Sequence, residues 1–192
     1  MSLADQWKKA ILDAVSTDPH GANLQEAALR GDAKGWTETL TKTVVEGCKA
    51  IGWVAAAKGH RLDHLPEPRC EYLGIDVTAF EPKESSWALP VAVVELENSL
   101  KDDRIAYSLW KLLCIRSRLR AVFCYRKEAD AAPKLVSGLT ERVVGSIAVA
   151  DRTAVDGETL IVVGYRNKAE TFPYGFFRWW KLNTNTGRFE IM

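Results

Sequence analysis

Residues 89–99 read Leu-Pro-Val-Ala-Val-Val-Glu-Leu-Glu-Asn-Ser, and this stretch decides the fold. Its valines and alternating pattern predict a β-strand, with Val91, Val93, Glu95 and Glu97 on one face and Ala92, Val94, Leu96 and Asn98 on the other. Because the pleat has a period of two, both glutamates point to the same side. Upstream, residues 70–80 (CEYLGIDVTAF) have the β-branched and aromatic content of a second strand, which carries Asp76. A turn at 81–86 joins the two strands, so three carboxylates could converge on one patch.

The segment after Ser99 has helical spacing over about 102–117. Ile105, Leu109, Leu112, Leu113 and the stem of Arg116 form its apolar side, and Arg104, Tyr107, Lys111 and Arg118 fall opposite. A strand at 120–126, a helix at 134–149 after Pro133, a strand at 159–166 and a hairpin over 176–192 turning near Asn185 and Gly187 complete the chain. Before the decisive strand come helices at 2–16 and 23–30, the latter with Asn23 as N-cap. A helix at 36–51 follows, with its stripe through Trp36, Leu40, Val44, Gly47, Cys48 and Ile51. A short strand at 53–58 and a Pro-rich loop at 59–69 lead back to Cys70.

This order predicts an α/β protein: a mixed β-sheet flanked by helices in one domain spanning 1–192. Residues 1–35 form a helical extension, 36–126 the core, and 127–192 a helix, a strand and a hairpin that complete the sheet. The chain is 47% hydrophobic and 27% charged, which places it among globular rather than disordered sequences. Its first 15 residues read as an amphipathic helix without an apolar signal core, and the expected location is cytoplasmic.

Cys48, Cys70, Cys114 and Cys124 form no CxxC pair and read as reduced thiols. His60 and His64 have four-residue spacing, but Gly59, Pro66 and Pro68 disfavour the helix that a zinc site would need, so a surface loop is expected. Neither a phosphate-binding loop, a dinucleotide-binding glycine pattern nor a Ser/His/Asp order is present. Charge is uneven: residues 1–103 hold 11 Lys/Arg against 17 Asp/Glu, and residues 104–192 hold 15 against 8. An acidic metal site facing a basic, phosphate-directed half is compatible with that split.

Clustered carboxylates raise one another's pKa, and a bound cation relieves the conflict. Mg²⁺ takes hard oxygen ligands, commonly one or two carboxylates plus substrate phosphate oxygens, so Asp76 and Glu95 suit it. Such an ion activates water and offsets charge on phosphoryl oxygens. The competing interpretation is a solvated sheet face whose glutamates pair with arginines.

Asp76, eighteen intervening residues, then Glu95-Leu96-Glu97 and a helix resembles the PD-(D/E)XK nuclease superfamily, and the element order over 36 to about 126 resembles its restriction-endonuclease-like core. The resemblance implies that Asp76 and Glu95 bind Mg²⁺, with Mn²⁺ as a substitute. It also implies a lysine two residues beyond the second acid, where this chain has Glu97. Some restriction enzymes of the superfamily carry Glu there and are active, which suggests Glu97 as a third metal ligand or general base. Lys111, one helix later, is the alternative source of the missing ammonium; phosphate contact or plain solvation is its simpler role. Glu46 is expected to face solvent.

The terminal segment interleaves aromatics with Arg178 and Lys181. Phe176, Phe177, Trp179 and Trp180 are assigned mainly to core or interface, with Arg178 and Lys181 facing outward. Together with Arg104, Tyr107 and Arg118 these two cations are the candidate nucleic-acid contacts, with DNA ahead of RNA as partner and a homodimer as the assembly that two-strand cutting favours. The expected function is a metal-dependent nuclease. The alternatives are an inactive nuclease-fold module for nucleic-acid binding or assembly, and a protein-interaction domain whose glutamates form ordinary salt bridges.

Overall fold

The computed structural model describes residues 1–17, 19–83 and 86–192, without the side chain of Arg166. Part of the turn expected at 81–86 lies outside the described residues. Seven strands form one sheet in sequential order: β1 (Val54–Ala57), β2 (Val77–Phe80), β3 (Ala92–Leu96), β4 (Leu119–Arg126), β5 (Glu158–Tyr165), β6 (Phe177–Asn183) and β7 (Arg188–Ile191). The pairs β1–β2 and β2–β3 are antiparallel, β3–β4 and β4–β5 are parallel, and the last two pairs are antiparallel again. The expected mixed sheet flanked by helices, ending in a strand pair, is therefore what forms.

Parallel neighbours need crossovers, and helices supply them. α4 (Asp102–Leu113) links β3 to β4, and α5 (Ala131–Leu139), a π turn at Thr140–Val144 and α6 (Val149–Thr153) link β4 to β5. α4, α5 and the π turn cover one face of the sheet, burying Ile105, Leu109, Leu112, Leu135, Val136 and Leu139 against Val93, Val122 and Ile161. The other face carries α1 (Leu3–Val15), α2 (His20–Arg30) and α3 (Ala33–Ala50), packed over Ala92, Val94, Leu96 and Phe123. α1 and α3 approach closely at Gly47, where a Cβ would sit 2.4 Å from Ile11 Cδ1.

Several element ends depart from the sequence expectation for local reasons. α2 starts at His20 rather than at an Asn23 cap, and its N-cap position is Pro19; Gly31, at φ 67°, ends it, and the Asp32 side chain caps α3 by accepting from Gly35 N. The second strand is only four residues long because Leu73 and Gly74 turn the chain with positive φ, 58° and 63°. Asp76 consequently stands at the threshold of β2, not within it. α4 stops at Leu113, leaving Arg116 exposed. The helix expected at 134–149 starts at Ala131, with Pro133 in its first turn, where the missing N–H costs nothing.

The buried Arg120 explains the end of α4. Its guanidinium donates to the carbonyls of Leu112, Ile115 and Asp156, so a cation sits where the α4 carbonyls run out of partners. Cys48 and Cys124 are buried and Cys114 is exposed, all free. Among the described residues no helix is long and apolar enough to cross a membrane.

Candidate functional site

The register of the β2–β3 pair sets up the site. Val77 lies opposite Val94, and one step further along the same antiparallel register brings Asp76 opposite Glu95, with both side chains on one face. That face is the one covered by α4, because Val93 shares it with Glu95. The two acids therefore meet at the carboxyl end of β3, the end at which open α/β sheets form their binding crevices.

Each acid is held by a different device. Asp76 Oδ2 accepts from the backbone N–H of Leu96 at 2.8 Å, which fixes it across the strand gap. Glu95 is 7% exposed and faces α4. There Ser108 Oγ donates to Glu95 Oε2 at 3.5 Å, and the Lys111 ammonium lies 2.8 Å from Glu95 Oε1. Glu95 Oε1 is fully buried and has no well-aligned hydrogen bond, so the ammonium charge is what balances it. Lys111 Nζ is itself anchored by donating to Gly74 O at 2.9 Å. The left-handed turn that delays the start of β2 is thus also the turn that presents a carbonyl to the lysine.

Burial raises the carboxyls of both Glu95 and Asp76 above their ordinary values. For Glu95, burial is opposed chiefly by Lys111 and reinforced by the neighbouring Asp76 charge. For Asp76, it is opposed by the Leu96 N–H and by Lys111, and reinforced by Glu97. Each is a desolvated acid with a neighbouring carboxylate that favours its neutral form, an arrangement that added positive charge stabilises.

Glu97 behaves differently from the expectation. It follows the last residue of β3, and its Oε1 accepts from Ser99 N at 2.7 Å, closing a local turn. Among the described residues no group of three His, Cys, Asp or Glu side chains is gathered closely enough to hold a metal ion. The expected three-carboxylate cluster is therefore a pair, because the strand ends before Glu97 and the local turn engages its carboxylate. Lys111 also departs from its simpler role: its side chain is only 22% exposed and engaged with Glu95, not solvated. Asp76 and Glu95, opposite each other across the strand pair, are two hard carboxylate donors of the kind that Mg²⁺ completes with waters and substrate oxygens.

The candidate nucleic-acid residues do not form a common surface. Arg104 and Tyr107 are exposed on α4. Arg118 pairs with Glu81, Arg178 is exposed beside the Tyr165 ring, and Lys181 pairs with Glu158 at 3.0 Å. Phe176, Phe177, Trp179 and Trp180 are all buried. The charge split between the halves is used internally: Glu95, Glu81, Asp102 and Asp103 pair with Lys111, Arg118, Arg126 and Arg142 respectively. Glu46 pairs with Lys49 near solvent.

The sequence offered Lys111 as the alternative ammonium, but spacing could not decide between that role and solvation. Ser108 and Lys111 are three apart, at the margin of the helix face that buries Ile105, Leu109 and Leu112, and only the packing angle of α4 on the sheet decides whether that margin meets Glu95 or water.

No family model and no curated protein matches the chain. Among solved structures, the chain is similar to NucC of E. coli MS115-1 in its cAAA-bound form, over 100% of this chain and 83% of that one, with 11% identity and a TM-score of 0.48.

Proposed function

We propose that the chain is a metal-dependent phosphodiesterase acting on nucleic acid. In this reading Asp76 and Glu95 are the metal-holding acids, and Lys111 supplies the ammonium that the superfamily otherwise places two residues beyond the second acid. The observation that carries the reading is the buried contact of Lys111 Nζ with Glu95 Oε1 at 2.8 Å, next to Asp76 across the strand pair. A lysine donated by a neighbouring helix restores the charge pattern that Glu97 lacks.

Mg²⁺, or Mn²⁺ in its place, would be held by the two carboxylates and would supply an activated water and charge compensation at the phosphoryl oxygens. The work of the chain's own groups is separable. Leu96 N–H holds Asp76 in place, and Ser108 with Lys111 holds Glu95. Lys111, tied to Gly74 O, keeps an ammonium where a phosphate oxygen or the attacking water is bound.

The test compares the purified chain with Glu95→Gln and Lys111→Met on labelled single-stranded and duplex DNA, with Mg²⁺, with Mn²⁺ and with chelator. Cleavage is expected only with metal, falling by at least about 100-fold in each variant. Metal-independent binding without cleavage would select the inactive binding module instead. Glu95→Gln cutting at the wild-type rate would remove the site assignment.

A further inference from the structure

Large apolar side chains are left in water around Lys111. Leu73, at positive φ beside the Gly74 carbonyl that anchors the lysine, is 70% exposed; Tyr107 and Trp110 on α4 are 58% and 51% exposed. The two rings adjoin at 6.0 Å between centroids, tilted by 36°, and so make a shallow ledge, not a closed stack. Tyr107 precedes Lys111 by one helical turn and Trp110 is its immediate neighbour, so the ledge starts where the proposed phosphate site ends.

The helix that carries the rings also carries exposed cations. Asp102 and Asp103, in the first turn of α4, are engaged by Arg126 and Arg142. Arg104 and Lys101 are exposed, and among the described residues no carboxylate pairs with either. Arg104, three residues before Tyr107, and Lys101, at the N-cap position, are thus two exposed cations on the helix that carries the ring pair. Aromatic faces flanked by cations, one turn from a phosphate-directed lysine, match a strand whose backbone lies on the charges and whose base lies on a ring. Four residues of helix advance about 6 Å, on the scale of one nucleotide of an unstacked strand.

We infer that Tyr107 and Trp110 form a stacking ledge for an unpaired nucleobase next to the scissile phosphate, so that the substrate is single-stranded or locally opened nucleic acid. This rests on the phosphodiesterase reading for the position of the phosphate. In a closed duplex the neighbouring base is held by its own stack and cannot reach an exposed ring without being extruded, at a cost of a few kcal/mol. A single-strand substrate also needs only one site, which removes the two-strand argument for a homodimer.

The test uses the full chain and a fluorescein-labelled single-stranded oligothymidine, with a blunt duplex of equal length for comparison. Anisotropy is read without divalent metal, and cleavage is read with Mn²⁺. Tyr107→Ala/Trp110→Ala should weaken single-strand binding by about 10- to 100-fold and raise KM for the single strand more than it lowers kcat. The duplex should respond by less than about 3-fold, and Tyr107→Phe/Trp110→Phe should restore binding. Both side chains are exposed, so thermal melting of the variants is expected to match the wild type.

Unchanged single-strand affinity and cleavage in the double alanine variant would overturn the ledge while leaving the phosphodiesterase reading intact. Ring-dependent binding with no cleavage by the wild type would do the reverse. A wild-type dimer that the double alanine variant converts to monomer, with no loss of single-strand binding, would mean that the rings serve a second copy of the chain.

Discussion

Replacing Lys111 by Met keeps most of the stem and deletes the ammonium, which isolates one charge. In the folded chain that charge faces Glu95 Oε1 at 2.8 Å and donates to Gly74 O at 2.9 Å. The Glu95 side chain is 9% exposed and that of Lys111 22%. Removing one member of a fully buried pair costs about 3–5 kcal/mol, and losing a hydrogen bond to a charged group about 1.5–3 kcal/mol. The partial exposure of Lys111 puts the expected loss near the lower figure, about 2 kcal/mol. For a chain of this length that is a fall of about 4–8 °C in Tm.

The effect has a pH signature. Burial raises the Glu95 carboxyl, and Lys111 is the main influence lowering it, so deleting the ammonium raises it further. A raised carboxyl contributes stability that is fully present below its unfolded value and is lost as pH rises through its folded value. The deficit of Lys111→Met relative to wild type should therefore be small at acid pH, where Glu95 is protonated in both, and should grow as pH rises through the raised Glu95 range. Calorimetric scans of both proteins between acid and neutral pH, without divalent metal, read this directly. The reasoning fails if the deficit is independent of pH, or if Lys111→Met combined with Glu95→Gln is no less destabilised than the sum of the single variants.

Asp76→Asn, which removes a carboxylate raised by burial, should melt higher than wild type at neutral pH in chelator. The gap should close on acidification through the raised Asp76 range, and added Mn²⁺ should raise the Tm of wild type alone. Arg120→Ala strands the carbonyls of Leu112, Ile115 and Asp156 and opens a void; urea unfolding should report a loss of about 3 kcal/mol. Gly157→Ala forces a Cβ to 2.5 Å from Arg118 O at a φ of +84°, and should lose at least about 2 kcal/mol in the same assay.

The strands and their order were legible wherever burial dominates the local pattern. Val91–Leu96, Arg120–Arg126 and Thr159–Tyr165 are mostly apolar runs buried on both sides because helices cover both faces of the sheet, and such runs have few alternatives. The hairpin was legible from Gly187, whose φ of 68° its turn uses. The length of β2 was not, because Leu73 at positive φ has no signature in a residue type that avoids that region.

Within the site, Asp76 and Glu95 could be chosen from the sequence, but their confrontation comes from the Val77–Val94 register, a long-range property. Glu97 looked equivalent to Glu95 under strict alternation. The strand ends between them, and the local bond to Ser99 N makes them different. Lys111 depended on how α4 docks. The basic second half suggested an open phosphate-facing surface, whereas four of its cations close on acids of the first half.

The most direct test of the two-acid metal site is a crystal equilibrated with Mn²⁺ and measured at the manganese absorption edge. An anomalous peak touching both Asp76 and Glu95, lost in Glu95→Gln crystals treated alike, is the predicted result. No peak at saturating Mn²⁺, with Lys111 Nζ still in contact with Glu95 Oε1, would contradict the account.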